Sequence, residues 1–153
     1  MRREARALGA VAVFAHRPVA GAFADFVALG RAAGLGWPSR LGLLLHPERG
    51  PWIHLRGALL LPFDAGEGDG PLAGSGPCPA CPAPCSTACP AAAPRSAGFD
   101  VARCGATRRT EPGCAHRCDA RRACPVGEAH AYGEAEEARL MALSLPAMTA
   151  ATP

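Results

Sequence analysis

Eight cysteines, all those in the chain, fall between Cys78 and Cys124. Cys78, Cys81, Cys85 and Cys89 are spaced C-x2-C-x3-C-x3-C-P, and Cys104, Cys114, Cys118 and Cys124 are spaced C-x9-C-x3-C-x5-C-P. Two sets of four thiolates suit three chemistries: a pair of iron–sulfur clusters, a pair of structural zinc sites, or a disulfide framework. Spacing favours the first. The opening run is one residue longer than the bacterial ferredoxin run C-x2-C-x2-C-x3-C-P, whose last cysteine crosses to the other cluster. Close spacing lets one short loop wrap a cluster, and the proline after the last cysteine turns the chain away and offers no amide donor. Zinc ribbons and fingers instead separate two close pairs by a dozen or more residues, whereas here four cysteines occupy twelve positions.

The surrounding residues carry a resemblance. Ala120 to Gly127 reads ARRACPVG, Ala88 to Ala91 reads ACPA, and His46 to Leu61 reads HPERGPWIHLRGALLL. In these three stretches the chain resembles the eight-cysteine ferredoxin-type domain of epoxyqueuosine reductase and its short ferredoxin-like bacterial relatives, over about two thirds of its length. The resemblance implies two [4Fe–4S] clusters that interleave, each borrowing a cysteine from the opposite half of the module. Carried over position by position, it implies Cys78, Cys81, Cys85 and Cys124 for one cluster, and Cys89, Cys104, Cys114 and Cys118 for the other.

What remains must position these cysteines. Gly and Pro number 18 and 16 of 153 residues, well above the usual combined share of about 12%, so much of the chain is expected to be loop. Clusters would replace a conventional core in its second half. The 16 basic residues are all Arg, with no Lys or Asn and one Ile, a composition that a GC-rich genome produces by itself. The formal charge is +3 with neutral thiols. Eight thiolates and two oxidised cores would add about −4, so no basic nucleic-acid face is implied.

The glycine-rich stretch Ala65 to Gly76, AGEGDGPLAGSG, reads as a linker. It divides the chain into a small α+β region (1–65), a linker (66–76), a loop-rich ferredoxin-type module with short helices (77–130) and a C-terminal helix and tail (131–153). In the first region, Met1 to His16 could be read as an export signal, but Glu4 interrupts its basic part and the apolar run from Leu8 to Ala15 is short. A strand over Ala10 to Phe14 is the plainer expectation. No apolar run approaches the length of a membrane span.

Val19 to Ala33 carries helical spacing, with Phe23, Phe26, Val27 and Gly30 on one face. Leu41 to Leu45 and Ile53 to Leu61 are expected to form two antiparallel strands joined by a tight connection at Pro47 to Pro51. His46 and His54 flank that turn; histidines at strand ends are more often surface or hydrogen-bonded residues than metal ligands. Trp52 is expected to cap the core or rest near a cluster, and Arg56 to face a polar surface.

In the module, helical turns are expected after Cys89 and from His116 to Ala123. Arg103, Arg108, Arg109, Arg117, Arg121 and Arg122 crowd this half, as a solvated basic rim or as compensation for cluster charge. Gly133 to Leu145 should be a helix with Leu140, Met141 and Leu145 on its apolar side and Glu136 beside Arg139, packed across the module. Met148 to Pro153 is expected to be disordered.

These residues imply electron transfer, with two clusters relaying single electrons between a donor and an acceptor protein in a reducing cytosol. No residue would perform bond chemistry. One alternative is the electron-delivery part of a corrinoid reductase like epoxyqueuosine reductase. That family needs a large N-terminal cofactor domain, and no residue here matches its substrate acid. A zinc-stabilised interaction module is the other alternative.

Overall fold

The computed structural model of the chain describes residues 1–66 and 68–150. Helix α1 (Arg2–Ala7) buries Ala5 and leads into strand β1 (Val11–Phe14), within the expected Ala10 to Phe14 segment. Helix α2 spans Phe26–Ala32, a shorter element than the apolar spacing from Val19 suggests. Its start is set by Asp25, whose carboxylate accepts from the amides of Val27 and Ala28 and satisfies two orphan donors of the first turn. Before it, Val19 and Ala22 bridge around a turn with Ala20 and Gly21 at positive φ, which leaves Phe23 exposed rather than on the packing face. Gly30 does lie on that face. A Cβ there would stand 2.7 Å from Leu44 and 2.8 Å from Leu55, so glycine lets the helix approach the next segment.

The two apolar runs after α2 do not pair with each other as expected. Strand β2 (Trp37–Pro38) pairs antiparallel with β3 (Leu44–Leu45), and β4 (Gly57–Leu60) returns to β1 with Val13 opposite Ala58. The intervening turn explains the separation. His46 and Gly50 exchange both backbone hydrogen bonds, and His46 Nδ1 accepts from the amides of Glu48 and Arg49. The chain then dives inward: Pro51 is fully buried and Trp52 is 4% exposed. Burying that indole against the second half outweighs continuing a hairpin along β3.

The described residues of the Ala65 to Gly76 stretch form no helix or strand. They are nevertheless fastened to the first region, since Trp37 Nε1 donates to the Ala73 carbonyl at 3.2 Å and Gly76 lies against the Trp37 ring.

The second half is mostly short helices: α3 (Pro84–Ala88), a small hairpin of β5 (Pro94–Arg95) and β6 (Gly98–Phe99), then α4 (Val101–Thr110), α5 (Pro112–His116), α6 (Asp119–Arg122) and α7 (Glu134–Ala150). After Cys89 there is a turn closed by the Ala92 amide on the Cys89 carbonyl, not a helix. The expected His116 to Ala123 helix contracts to α6. Helix α7 packs on α4 and α5, across the module as expected. It also continues through Met148 to Ala150, where the sequence suggested disorder; residues 151–153 lie outside the described residues. The architecture is thus α+β, with three separate two-stranded antiparallel sheets among the described residues.

The two halves share one interior. Leu41 packs with Ala83, Cys85 and Ala120, with Leu43, Cys89, Cys118 and Cys124 around them. Small side chains and sulfur take the place of large aliphatics here. Backbone meets backbone nearby: a Cβ on Gly50 would lie 1.9 Å from the Val126 carbonyl oxygen, and one on Gly127 would lie 2.2 Å from the Arg49 carbonyl carbon. Both glycines also have positive φ, at 56° and 72°. Gly127→Ala is therefore expected to cost roughly 3 kcal/mol, read from its urea unfolding midpoint. Gly74→Ala, at similar φ with nothing within 4 Å, should cost only about 1 kcal/mol; equal losses would mean that the approach of the two loops is not tight.

Candidate metal centre

The eight cysteines divide into two candidate quartets, one lining a single cleft and the other marked by mutual electrostatic influence. Cys78, Cys81, Cys85 and Cys124 line one cleft, together with apolar atoms of Leu41, Leu45, Ala83 and Val126. Cys78 and Cys81 bracket a single 3-10 turn, with the Cys81 amide donating to the Cys78 carbonyl at 3.3 Å. Cys85 sits in the first turn of α3. Cys124 follows α6 and donates its amide to the Arg121 carbonyl. The x3 spacing between Cys81 and Cys85 is absorbed by Ala83, which takes a left-handed conformation (φ 57°) at the N-cap of α3. Its amide thereby donates to Cys81 Sγ at 3.4 Å, the kind of bond that stabilises negative charge on sulfur.

The second quartet is Cys89, Cys104, Cys114 and Cys118. Cys89 ends α3, Cys104 lies in the first half of α4, Cys114 is in α5 and Cys118 is the N-cap of α6. The ten-residue helix α4 fills much of the long Cys104 to Cys114 gap, and Glu111 ends α4 and begins α5. Asp100 starts that helix by accepting from the Arg103 amide.

Electrostatics mark the same grouping. The thiols of Cys85 and Cys124 are raised in pKa, first by burial and then by nearby Cys78 and Cys81. Cys104 is pushed up to about 11, by burial first and then by Cys118, Cys89 and Cys114. Burial and then Cys89 raise Cys114, while Cys118 is raised mainly by burial, with Cys89 adding to it. All eight are unpaired, with no disulfide among them.

The donor sets can be tested against the groups they would hold. Among the described residues no three His, Cys, Asp or Glu side chains converge tightly enough for a single metal ion. A zinc–sulfur bond of about 2.3 Å would bring four sulfurs within about 4 Å of one another. A four-iron core with an iron at each corner takes four thiolates that stand farther apart. In donor type and donor number, four thiols are what such a core takes.

His46 spends Nδ1 on its own turn. The pKa of His54 is lowered by desolvation first, then by Arg56, Arg121 and Arg139; Arg56 is exposed. Trp52 lies edge-on to Tyr132 with ring centroids 5.4 Å apart.

The basic rim is only partly a rim. Arg103, Arg109 and Arg117 are exposed, Arg117 bonding Asp119. Arg108 and Arg121 are buried. Arg121 donates from Nε to the Pro51 carbonyl at 3.0 Å, and from Nη2 to the same oxygen, with its guanidinium 5.0 Å from the Trp52 and Tyr132 ring centroids. This joins the stretches HPERGPW and ARRACPVG.

Sequence reasoning missed Glu137 and favoured Glu136 beside Arg139. Glu137 is 1% exposed, accepts from Arg122 Nε at 2.7 Å, and accepts from the Cys118 amide at 3.0 Å. Its position was readable: residues 137, 140, 141, 144 and 148 share one helical face with buried Leu140.

Comparison of the chain with protein-family models, with curated proteins and with solved structures returned no match. Among the described residues no helix is long and apolar enough to cross a membrane.

Proposed function

We propose that the chain is an iron–sulfur electron-transfer protein, with one [4Fe–4S] cluster on Cys78, Cys81, Cys85 and Cys124 and a second on Cys89, Cys104, Cys114 and Cys118. The observation that supports this reading is that Cys124, distant in sequence, lines one cleft with Cys78, Cys81 and Cys85, and that all eight thiols are free. When bound, each cluster supplies a one-electron couple. The cysteines act as ligands, the Ala83 amide favours charge on Cys81, and Leu41, Leu45 and Val126 give the first quartet apolar walls. The partners are a donor and an acceptor protein, and the setting is a reducing cytoplasm in which eight thiols stay reduced.

Anaerobic purification followed by iron, sulfide and zinc analysis tests this. Brown protein with about eight iron and eight sulfide per chain is expected. About two zinc per chain without sulfide would instead make it a zinc-stabilised interaction module.

A further inference from the structure

We propose that Arg108 is a built-in counter-charge for the second quartet, raising the reduction potential of the cluster on Cys89, Cys104, Cys114 and Cys118. The inference rests on the two-cluster reading above. Arg108 follows Cys104 by one turn of α4 and is 4% exposed. Its Nη1 donates to Ser144 Oγ at 3.1 Å and Met148 Sδ at 2.9 Å, and its Nη2 donates to the Met141 carbonyl. None of these acceptors carries a charge, and Nε is buried with no partner. Among the described residues no carboxylate pairs with Arg108.

A buried cation without an anion is costly, and arginine does not escape by losing its proton. The available negative charge is the quartet itself. Arg108 shares a cavity with Cys104 and Cys118, and its charge favours the thiolates of Cys104 and Cys114. Glu137, which bonds the Cys118 amide, is already matched by Arg122.

The first quartet differs. Arg40 at its edge is only partly buried and reaches the Cys78 carbonyl at 3.5 Å, where solvent screens it. One-electron reduction adds a negative charge to either cluster. A buried cation in low dielectric stabilises that charge more than a solvated one does, so the fold makes the two potentials unequal. Helix α7 fixes the guanidinium through Met141, Ser144 and Met148, which gives that helix a role beyond packing.

The test is a potentiometric titration of the iron-loaded chain with dithionite as the electron donor, read by low-temperature electron paramagnetic resonance. R108Q is expected to move one potential to more negative values and leave the other in place. The moved centre should be the one lost in Cys114→Ser. R108K should restore most of the shift, and R109Q, which removes an exposed neighbouring charge, should move neither. If R108Q does not load iron, Ser144→Asp decides: it sets a carboxylate against Nη1 and should move the same potential in the same direction. Unmoved potentials, equal shifts in both centres, or a shift in the centre lost in Cys81→Ser would overturn the proposal while leaving two clusters in place. A chain with neither iron nor sulfide would overturn both.

Discussion

Cys124→Ala is expected to damage the same cluster as Cys81→Ala, and Cys89→Ala the same cluster as Cys114→Ala. In sequence the opposite grouping looks natural, because Cys89 closes the first run and Cys124 closes the second. The proposed partition reverses it. Helix α6 packs on α3, which carries Cys124 onto the cleft of Cys78, Cys81 and Cys85, while Cys89 bears electrostatically on Cys104 and Cys114. Each single variant should lose up to about four of the eight iron atoms proposed, with the surviving centre keeping its spectrum. Loss of one ligand can leave a three-iron core, so electron paramagnetic resonance of oxidised and reduced samples is needed alongside iron counts. Matching spectra for Cys89→Ala and Cys81→Ala would assign one cluster to each run and refute the interleaving. A fold effect should accompany the loss, because a centre bridging both runs closes a long loop in a chain with few large buried side chains.

How much of this was legible depended on residue type. The cysteines stood out as candidate ligands by number and close spacing alone. Strand β1 and helix α7 were readable from an apolar run and a helical period. Helix α4 was not: VARCGATRRT lacks an apolar stripe, and its buried positions are Gly105 and Arg108. The β2–β3 and β1–β4 pairings were hidden because an apolar run names a strand without naming its partner. The burial of Arg108, Arg121 and Glu137 went unread for one shared reason. Charged side chains on helices ordinarily face water, and here they are spent inside, on carbonyls, on one another and beside sulfur, in a half whose buried side chains are mostly small.

Arg121→Ala is expected to be among the most destabilising substitutions outside the cysteines, at about 4 kcal/mol. The side chain is 8% exposed and makes two bonds to the carbonyl of Pro51, seventy residues away. Truncation leaves that buried carbonyl without its donor, which alone costs about 1–3 kcal/mol. It also removes the cation held beside the Trp52 and Tyr132 rings, worth about 1–2 kcal/mol when desolvated, and opens a cavity between the two halves. Arg121→Lys should recover part of the loss, since an ammonium can reach one acceptor but cannot spread flat between two rings. Tyr132→Leu should cost less than Arg121→Ala and combine with it less than additively, because both act on one stack. Urea unfolding followed by tryptophan emission reads these changes: Trp52 is buried, so its emission should move to longer wavelength in Arg121→Ala before global unfolding. A loss under about 1 kcal/mol, in the range of exposed ion pairs, would show that the Pro51 to Arg121 tie does not hold the halves together. The approach of Gly50 and Gly127 would then have to do so through backbone packing.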